Sequence, residues 1–111
     1  MRINVEQASN SLIARVTGEL DMLVASDFRD QLEAALDKQS VPNLILNFTE
    51  VSFIDSSGLG AILGRYKRIS QFGGVMAIVN PQPQVKRILE LSGIMRIINT
   101  YLTEDEAMKS L

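Results

Sequence analysis

Val51-Ser52-Phe53-Ile54-Asp55-Ser56-Ser57-Gly58-Leu59-Gly60-Ala61-Ile62-Leu63-Gly64 is the stretch on which the reading of this chain turns. Leu59, Ile62, Leu63, Tyr66 and Ile69 recur at helical spacing, which predicts a helix from about Ser57 to about Gln71. Asp55, Ser56 and Ser57 fall where that helix begins, and each side chain can cap free backbone N–H groups. A helix N-terminus carries partial positive charge and unpaired donors, so any dealing with an anion, phosphate included, is expected here.

Working outward, Asn43-Leu44-Ile45-Leu46-Asn47-Phe48 is too apolar for an exposed strand and reads as one covered on both faces. Thr49 to Asp55 then reads as a connection into the helix. Phe72-Gly73-Gly74 ends that helix, with Gly73 as a left-handed cap, and Val75-Met76-Ala77-Ile78-Val79 reads as the next buried strand. Pro81 and Pro83 bracket the start of another helix, with Val85, Ile88, Leu89 and Leu91 as its buried stripe and Ser92-Gly93 at its end. Ile94 to Tyr101 offers a short edge strand. Thr103-Glu104-Asp105-Glu106 opens a last helix with a threonine cap and an acidic first turn.

Toward the N-terminus, Ile3-Asn4-Val5-Glu6 and Leu12-Ile13-Ala14-Arg15-Val16 form a predicted hairpin around Ser9-Asn10. Gly18-Glu19-Leu20-Asp21 breaks the strand pattern. A helix follows, with Val24, Phe28, Leu32, Ala35 and Leu36 on one face and Ser26 or Asp27 in its first turn. The order is β-β-α-β-α-β-α-(β)-α, an α/β chain with a mixed, partly parallel sheet of four to five strands flanked by about four helices.

Composition narrows the function. At 111 residues the chain reads as one domain, 1–111, and its 46% apolar and 22% charged residues are the balance of a globular core. The absence of Cys and His excludes disulfides, thiol catalysis and an imidazole base, and it argues against zinc. No apolar run approaches the roughly 20 residues of a membrane span, and the N-terminus has no apolar export segment, so a cytoplasmic protein is expected. With a net charge of −2, the basic clusters Arg65-Tyr66-Lys67-Arg68 and Lys86-Arg87 read as solvated helix faces, not a nucleic-acid footprint.

Three chemistries could make use of the central stretch. Gly58, Gly60 and Gly64 resemble a dinucleotide fingerprint, but nine residues separate Phe48 from Gly58 and the next strand ends at Asn80, not at an acid. Gly60 and Gly64, one turn apart, more simply let the helix lie close to the sheet. A serine hydrolase lacks both the G-x-S-x-G elbow and a histidine, and no cofactor or metal site is indicated. A third possibility makes Ser56 a substrate. Phosphate there adds about −1.5 to −2 charge, which the helix amides can receive while Asp55 and an acidic or apolar partner surface repel it. Plain caps at Ser56 and Ser57 remain the competing account, and physics does not separate the two hydroxyls.

Gly18-Glu19-Leu20-Asp21, Phe53-Ile54-Asp55-Ser56-Ser57-Gly58-Leu59-Gly60, Ile62-Leu63-Gly64-Arg65-Tyr66-Lys67, Val85-Lys86-Arg87-Ile88-Leu89 and Leu91-Ser92-Gly93 together resemble the STAS-domain anti-sigma factor antagonists, the sporulation branch most. The resemblance spans essentially the whole chain, and the Asp-Ser-Ser-Gly-Leu-Gly run is its specific part. It implies a non-enzymatic partner switch that controls transcription. The unphosphorylated protein binds an anti-sigma factor that is also a serine kinase, and so frees the sigma factor. Phosphorylation of Ser56 ends that binding, and a PP2C-type phosphatase restores it. The resemblance also implies that Asp21 lies near Ser56 and contributes to the kinase contact, with Asp55, Ser57, Gly58 and Gly60 completing the partner-binding set. Ser57 is expected as cap or spectator, and Met22, Leu23 and Val24 as the buried first turn of a helix, ahead of a partner-contacting patch. The alternative is a STAS scaffold of a stress-response or ligand-sensing pathway that binds without phosphorylation.

Overall fold

The hairpin expected at the N-terminus opens a five-stranded sheet in the computed structural model, which describes residues Met1–Leu111. Strand β1 (Arg2–Ala8) pairs antiparallel with β2 (Ser11–Leu20) around Ser9-Asn10, where Ser9 adopts a φ of 55°. Strands β3 (Asn43–Ile54), β4 (Met76–Val79) and β5 (Asn99–Tyr101) follow parallel to β2, giving the spatial order β1-β2-β3-β4-β5. Helix α1 (Ala25–Gln39) connects β2 to β3, and α2 (Ser56–Gln71) connects β3 to β4. Helix α3 (Pro83–Ser92) and a 3-10 turn (Ile94–Arg96) lead to β5, and α4 (Glu104–Ser110) closes the chain.

Strand period two divides the core into two layers. Leu12, Ala14, Leu44, Leu46, Met76 and Ile78 face one way and pack against Phe28, Leu32, Ile62, Ile69, Val85 and Leu89 of α1, α2 and α3. Ile13, Ile45, Ala77 and Val79 face the other way, under Ala107 of α4. That explains why Leu44, Ile45 and Leu46 can be consecutive and all fully buried.

Several boundaries move. Strand β2 runs through Gly18-Glu19-Leu20, where a break was expected. Gly18 takes a φ of +111°, and the register shifts between Gly18 and Glu19. This bulge absorbs the irregularity, and pairing resumes at Glu19↔Phe53 and Leu20↔Ile54. Strand β3 likewise continues through Thr49 to Ile54, read from sequence as a connection. On α3, Val85 and Leu89 are buried and Ile88 half-buried, but Leu91 is exposed. The core positions beyond α3 are filled instead by Ile94, which opens the 3-10 turn, and Ile98, which follows it. Gly93 caps α3 in the left-handed conformation, and the Thr103 hydroxyl caps α4 by accepting from the Glu106 N–H at 3.1 Å.

Helix α4 is fastened by charge as well as by packing. Arg15 Nε and Nη2 each donate to Glu104 at 2.8 Å, and Asn47 Nδ2 donates to the same carboxylate at 2.7 Å. The Arg15 guanidinium, aided by the Asn47 amide, holds the Glu104 carboxyl below the usual carboxylate range despite partial burial. A depressed folded-state pKa stabilises the fold above the ordinary glutamate value of about 4.3. That stabilisation is lost as pH falls through the lowered value. Thermal melts followed by circular dichroism at pH 7 and pH 3 should therefore show Glu104→Gln less stable than wild type at pH 7, with the gap narrowing at pH 3. A constant gap would remove the ionic part of this account.

Candidate functional site

The parallel pairing Leu20↔Ile54 ends β2 and β3 side by side, so Asp21 and Asp55 leave the sheet as neighbours. Asp55 is the N-cap of α2, with extended backbone (φ −113°, ψ −172°). Its Oδ1 accepts from the Ser57 and Gly58 N–H groups at 2.9 and 3.1 Å, and its Oδ2 accepts from the Met22 N–H at 3.0 Å. The Asp55 N–H in turn donates to the Leu20 carbonyl at 3.1 Å. Asp21 organises the other turn: its Oδ1 accepts from the Leu23 N–H at 3.0 Å, and its carbonyl accepts from Val24 and Ala25. The two loops are thus joined through backbone amides held by carboxylates.

This arrangement corrects the expectation of free amides at the start of α2. Asp55 already satisfies the Ser57 and Gly58 donors by its side chain and the Leu59 donor by its carbonyl, so the cap is Asp55 and neither serine. Ser56, at the first helical position, is exposed, whereas Ser57 is half-buried. Met22 and Leu23 are not the buried first turn of α1 expected from sequence. They are 73% and 85% exposed, and only Val24 is half-buried. The hydrogen bonds from their N–H groups to Asp55 and Asp21 hold that turn outside the helix. Phe53, also partly exposed, adds to the apolar surface at this end of the sheet.

The glycines divide. Gly58 is buried, and a Cβ there would lie 2.4 Å from the Leu20 carbonyl oxygen and 2.9 Å from Ile54 Cγ1. Its role is the close approach of α2 to the ends of β2 and β3. A Cβ at Gly60 or Gly64 would meet nothing within 4 Å, so these two do not serve helix–sheet packing. They border a cleft between α1 and α2. Arg65 and Arg68, read as a solvated face, are instead turned onto α1. The Arg65 side chain is 9% exposed with Nε 2.8 Å from Glu33, and Arg68 pairs with Glu33 and with Asp37 at 2.7 Å.

An exposed serine opens α2, flanked by two loop-building aspartates and an apolar rim, on a fold with helices on both faces of a mixed sheet. Those features define a small α/β binding module. The STAS domain family model matches residues 2–107, and the chain belongs to that family, among its anti-sigma factor antagonists. It is 39% identical over 111 residues to the anti-sigma F factor antagonist of Paenibacillus polymyxa, covering all of this chain and 95% of the relative. Its structure is similar to that of the anti-sigma factor antagonist SpoIIAA in its unphosphorylated form, with a TM-score of 0.84 and 30% identity over 98% of this chain and 95% of the other. Against the Bacillus cell fate determinant SpoIIAA in the phosphorylated form, the TM-score is 0.75 at 29% identity, with 98% of each chain covered.

The two kinds of glycine predict opposite outcomes. Gly58→Ala forces backbone apart and should cost about 1–3 kcal/mol, lowering the melting temperature by roughly 5–15 °C. Gly60→Ala has room for its methyl and gains helix propensity, so it should melt about 2–5 °C higher than wild type. Differential scanning calorimetry of the two variants checks this. Equal shifts would mean that Gly58 is not a packing constraint.

Proposed function

We propose that the protein is an anti-sigma factor antagonist whose unphosphorylated form binds an anti-sigma factor serine kinase, and that phosphate on Ser56 abolishes that binding. The observation that carries this reading is the exposed Ser56 beside an already capped helix end. With the Ser57 and Gly58 amides taken by the Asp55 side chain and the Leu59 amide by its carbonyl, a phosphate on Ser56 finds most of the helix-end amides already bonded. Its charge stays at the surface beside Asp55, near the exposed Met22 and Leu23, where it opposes an acidic partner and spoils an apolar contact. The switch therefore acts on binding while the fold is kept.

In this reading the protein has no catalytic activity of its own and works in the cytoplasm. The kinase and a PP2C-type phosphatase supply the chemistry. Asp21 shapes the turn that presents Met22 and Leu23, and Asp55 fixes that turn against α2. Gly58 and Ser57 act by positioning the acceptor.

Intact-mass and site-mapping analysis after incubation with the cognate kinase and ATP tests the site. Wild type and Ser57→Ala should each gain one phosphate and Ser56→Ala none, with Ser56→Ala still binding the kinase. Loss of phosphate only in Ser57→Ala would move the site by one residue. No phosphate on any of the three, with an active kinase control, would favour a STAS scaffold that works without phosphorylation. Replacing both Met22 and Leu23 by Ser should weaken kinase binding roughly tenfold or more, from loss of apolar burial, and leave the melting temperature unchanged. Unchanged affinity by calorimetry would take these residues out of the interface.

A further inference from the structure

Strand β1 is the long free edge of the sheet. The other edge, β5, has three residues and leads into α4, whereas β1 has seven, with no Pro, no Gly and no break in its register against β2. An edge of that kind is a ready template for another strand. The two-residue turn at Ser9-Asn10 makes Ala8 and Ser11 a hydrogen-bonded pair, and antiparallel alternation fixes the rest. Arg2, Asn4 and Glu6 turn their backbone groups to β2. Ile3, Val5 and Gln7 turn theirs outward, and no backbone bond beyond the ladder to β2 reaches Arg2–Ala8.

The side chains along this edge are complementary to themselves. Antiparallel pairing with an identical strand must set outward-facing residues opposite one another, so its two-fold axis passes through a residue and not between two. With the axis at Asn4, Ile3 meets Val5 of the second copy and Arg2 meets Glu6 of the second copy. An axis at Val5 would set Glu6 against Asn4 and Arg2 against Ala8, without any charge pairing. Val5 is 44% exposed, and Arg2 is exposed with no ion-pair partner in its own chain. Glu6 gives only Oε1 to Arg15, which turns its remaining donors to Glu104. Its second oxygen is free for an arginine across the edge, which would continue the alternation of sign through Glu104, Arg15 and Glu6.

We propose that the protein self-associates through β1, as an antiparallel pairing of two copies about a two-fold axis at Asn4. Ile3 and Val5 exchange backbone hydrogen bonds with their counterparts, and each Val5 is covered by the Ile3 opposite. Arg2–Glu6 ion pairs flank them, and the two five-stranded sheets become one. The contact is small beside the roughly 1,600 Å² of a standard interface, so the dissociation constant is on the order of 100 μM. Ser56, Met22 and Leu23 lie outside β1, so the pairing is tested on the unphosphorylated protein alone, with no partner present.

The test follows sedimentation velocity and amide chemical shifts as the protein is diluted from about 1 mM to about 10 μM, a range that brackets that constant. A monomer–dimer equilibrium is expected, with the concentration-dependent shifts centred on Ile3, Val5 and Gln7. Arg2→Glu and Glu6→Arg each set like charges opposite one another at both ends of the pairing. Either variant alone should dimerise roughly tenfold more weakly or worse. Mixed in equal amounts they present opposite charges again, and the mixture should recover a heterodimer of near wild-type affinity. The melting temperature of Arg2→Glu should match that of wild type, because its side chain is exposed and unpaired. A protein that stays monomeric at the highest concentration, shifts centred elsewhere, variants that dimerise as wild type does, or a mixture that stays monomeric would overturn the assignment.

Discussion

One carboxylate holds the working end of this protein together. Asp55 receives two amides of α2 on one oxygen and the Met22 amide on the other, so the helix and the turn after β2 are referred to the same group. The position of that carboxylate is in turn set by the sheet, through the pairing of Leu20 with Ile54 and the bond from the Asp55 N–H to the Leu20 carbonyl. Everything at this end depends on that register. A slip of one residue between β2 and β3 would turn Leu20 and Ile54 out of the core and carry both aspartates with them.

The element types and their order were legible because the apolar periods are clean. Leu59, Ile62 and Ile69 mark α2, and Leu44-Ile45-Leu46 marks a strand covered on both faces. Strand lengths were less legible, because the irregularity at Gly18 hides the continuation of β2, and because Glu50 interrupts the apolar pattern of β3 while still pairing with β2 and Ser52 is the residue skipped at the bulge. Asp55 as a cap could be read from its place before the helix, but its bond to Met22 spans 33 residues and leaves no local trace. Met22 and Leu23 look from sequence like the start of an amphipathic helix. What exposes them is the turn built by Asp21, which periodicity does not register. Arg65 and Arg68 were misread for a related reason. A basic run on a helix normally faces water, and only the placement of Glu33 and Asp37 on α1 turns these two inward.

The two sheet faces carry different kinds of attachment. Helices α1, α2 and α3 are held mainly by a large apolar layer, whereas α4 adds a small apolar contact to the ionic cluster of Arg15, Asn47 and Glu104. Seven residues of helix could not stay folded on propensity alone. The ion cluster and Ala107 together keep it on the sheet, opposite the face that carries the aspartate-linked loops.

The length of β3 has a consequence for how the serine-bearing end is held. Strand β4 pairs with β3 only from Leu44 to Asn47, so the remainder of β3, out to Ile54, has a ladder on the β2 side alone. On the other side, the Gln82 and Gln84 side-chain amides donate to the Thr49 and Ser52 carbonyls in place of a strand. The serine-bearing end therefore rests on a two-stranded ladder whose Leu20, Val51 and Ile54 are fully buried in the main core. Packing beneath Leu20, Val51 and Ile54, more than backbone pairing on both sides, keeps the serine-bearing end in place.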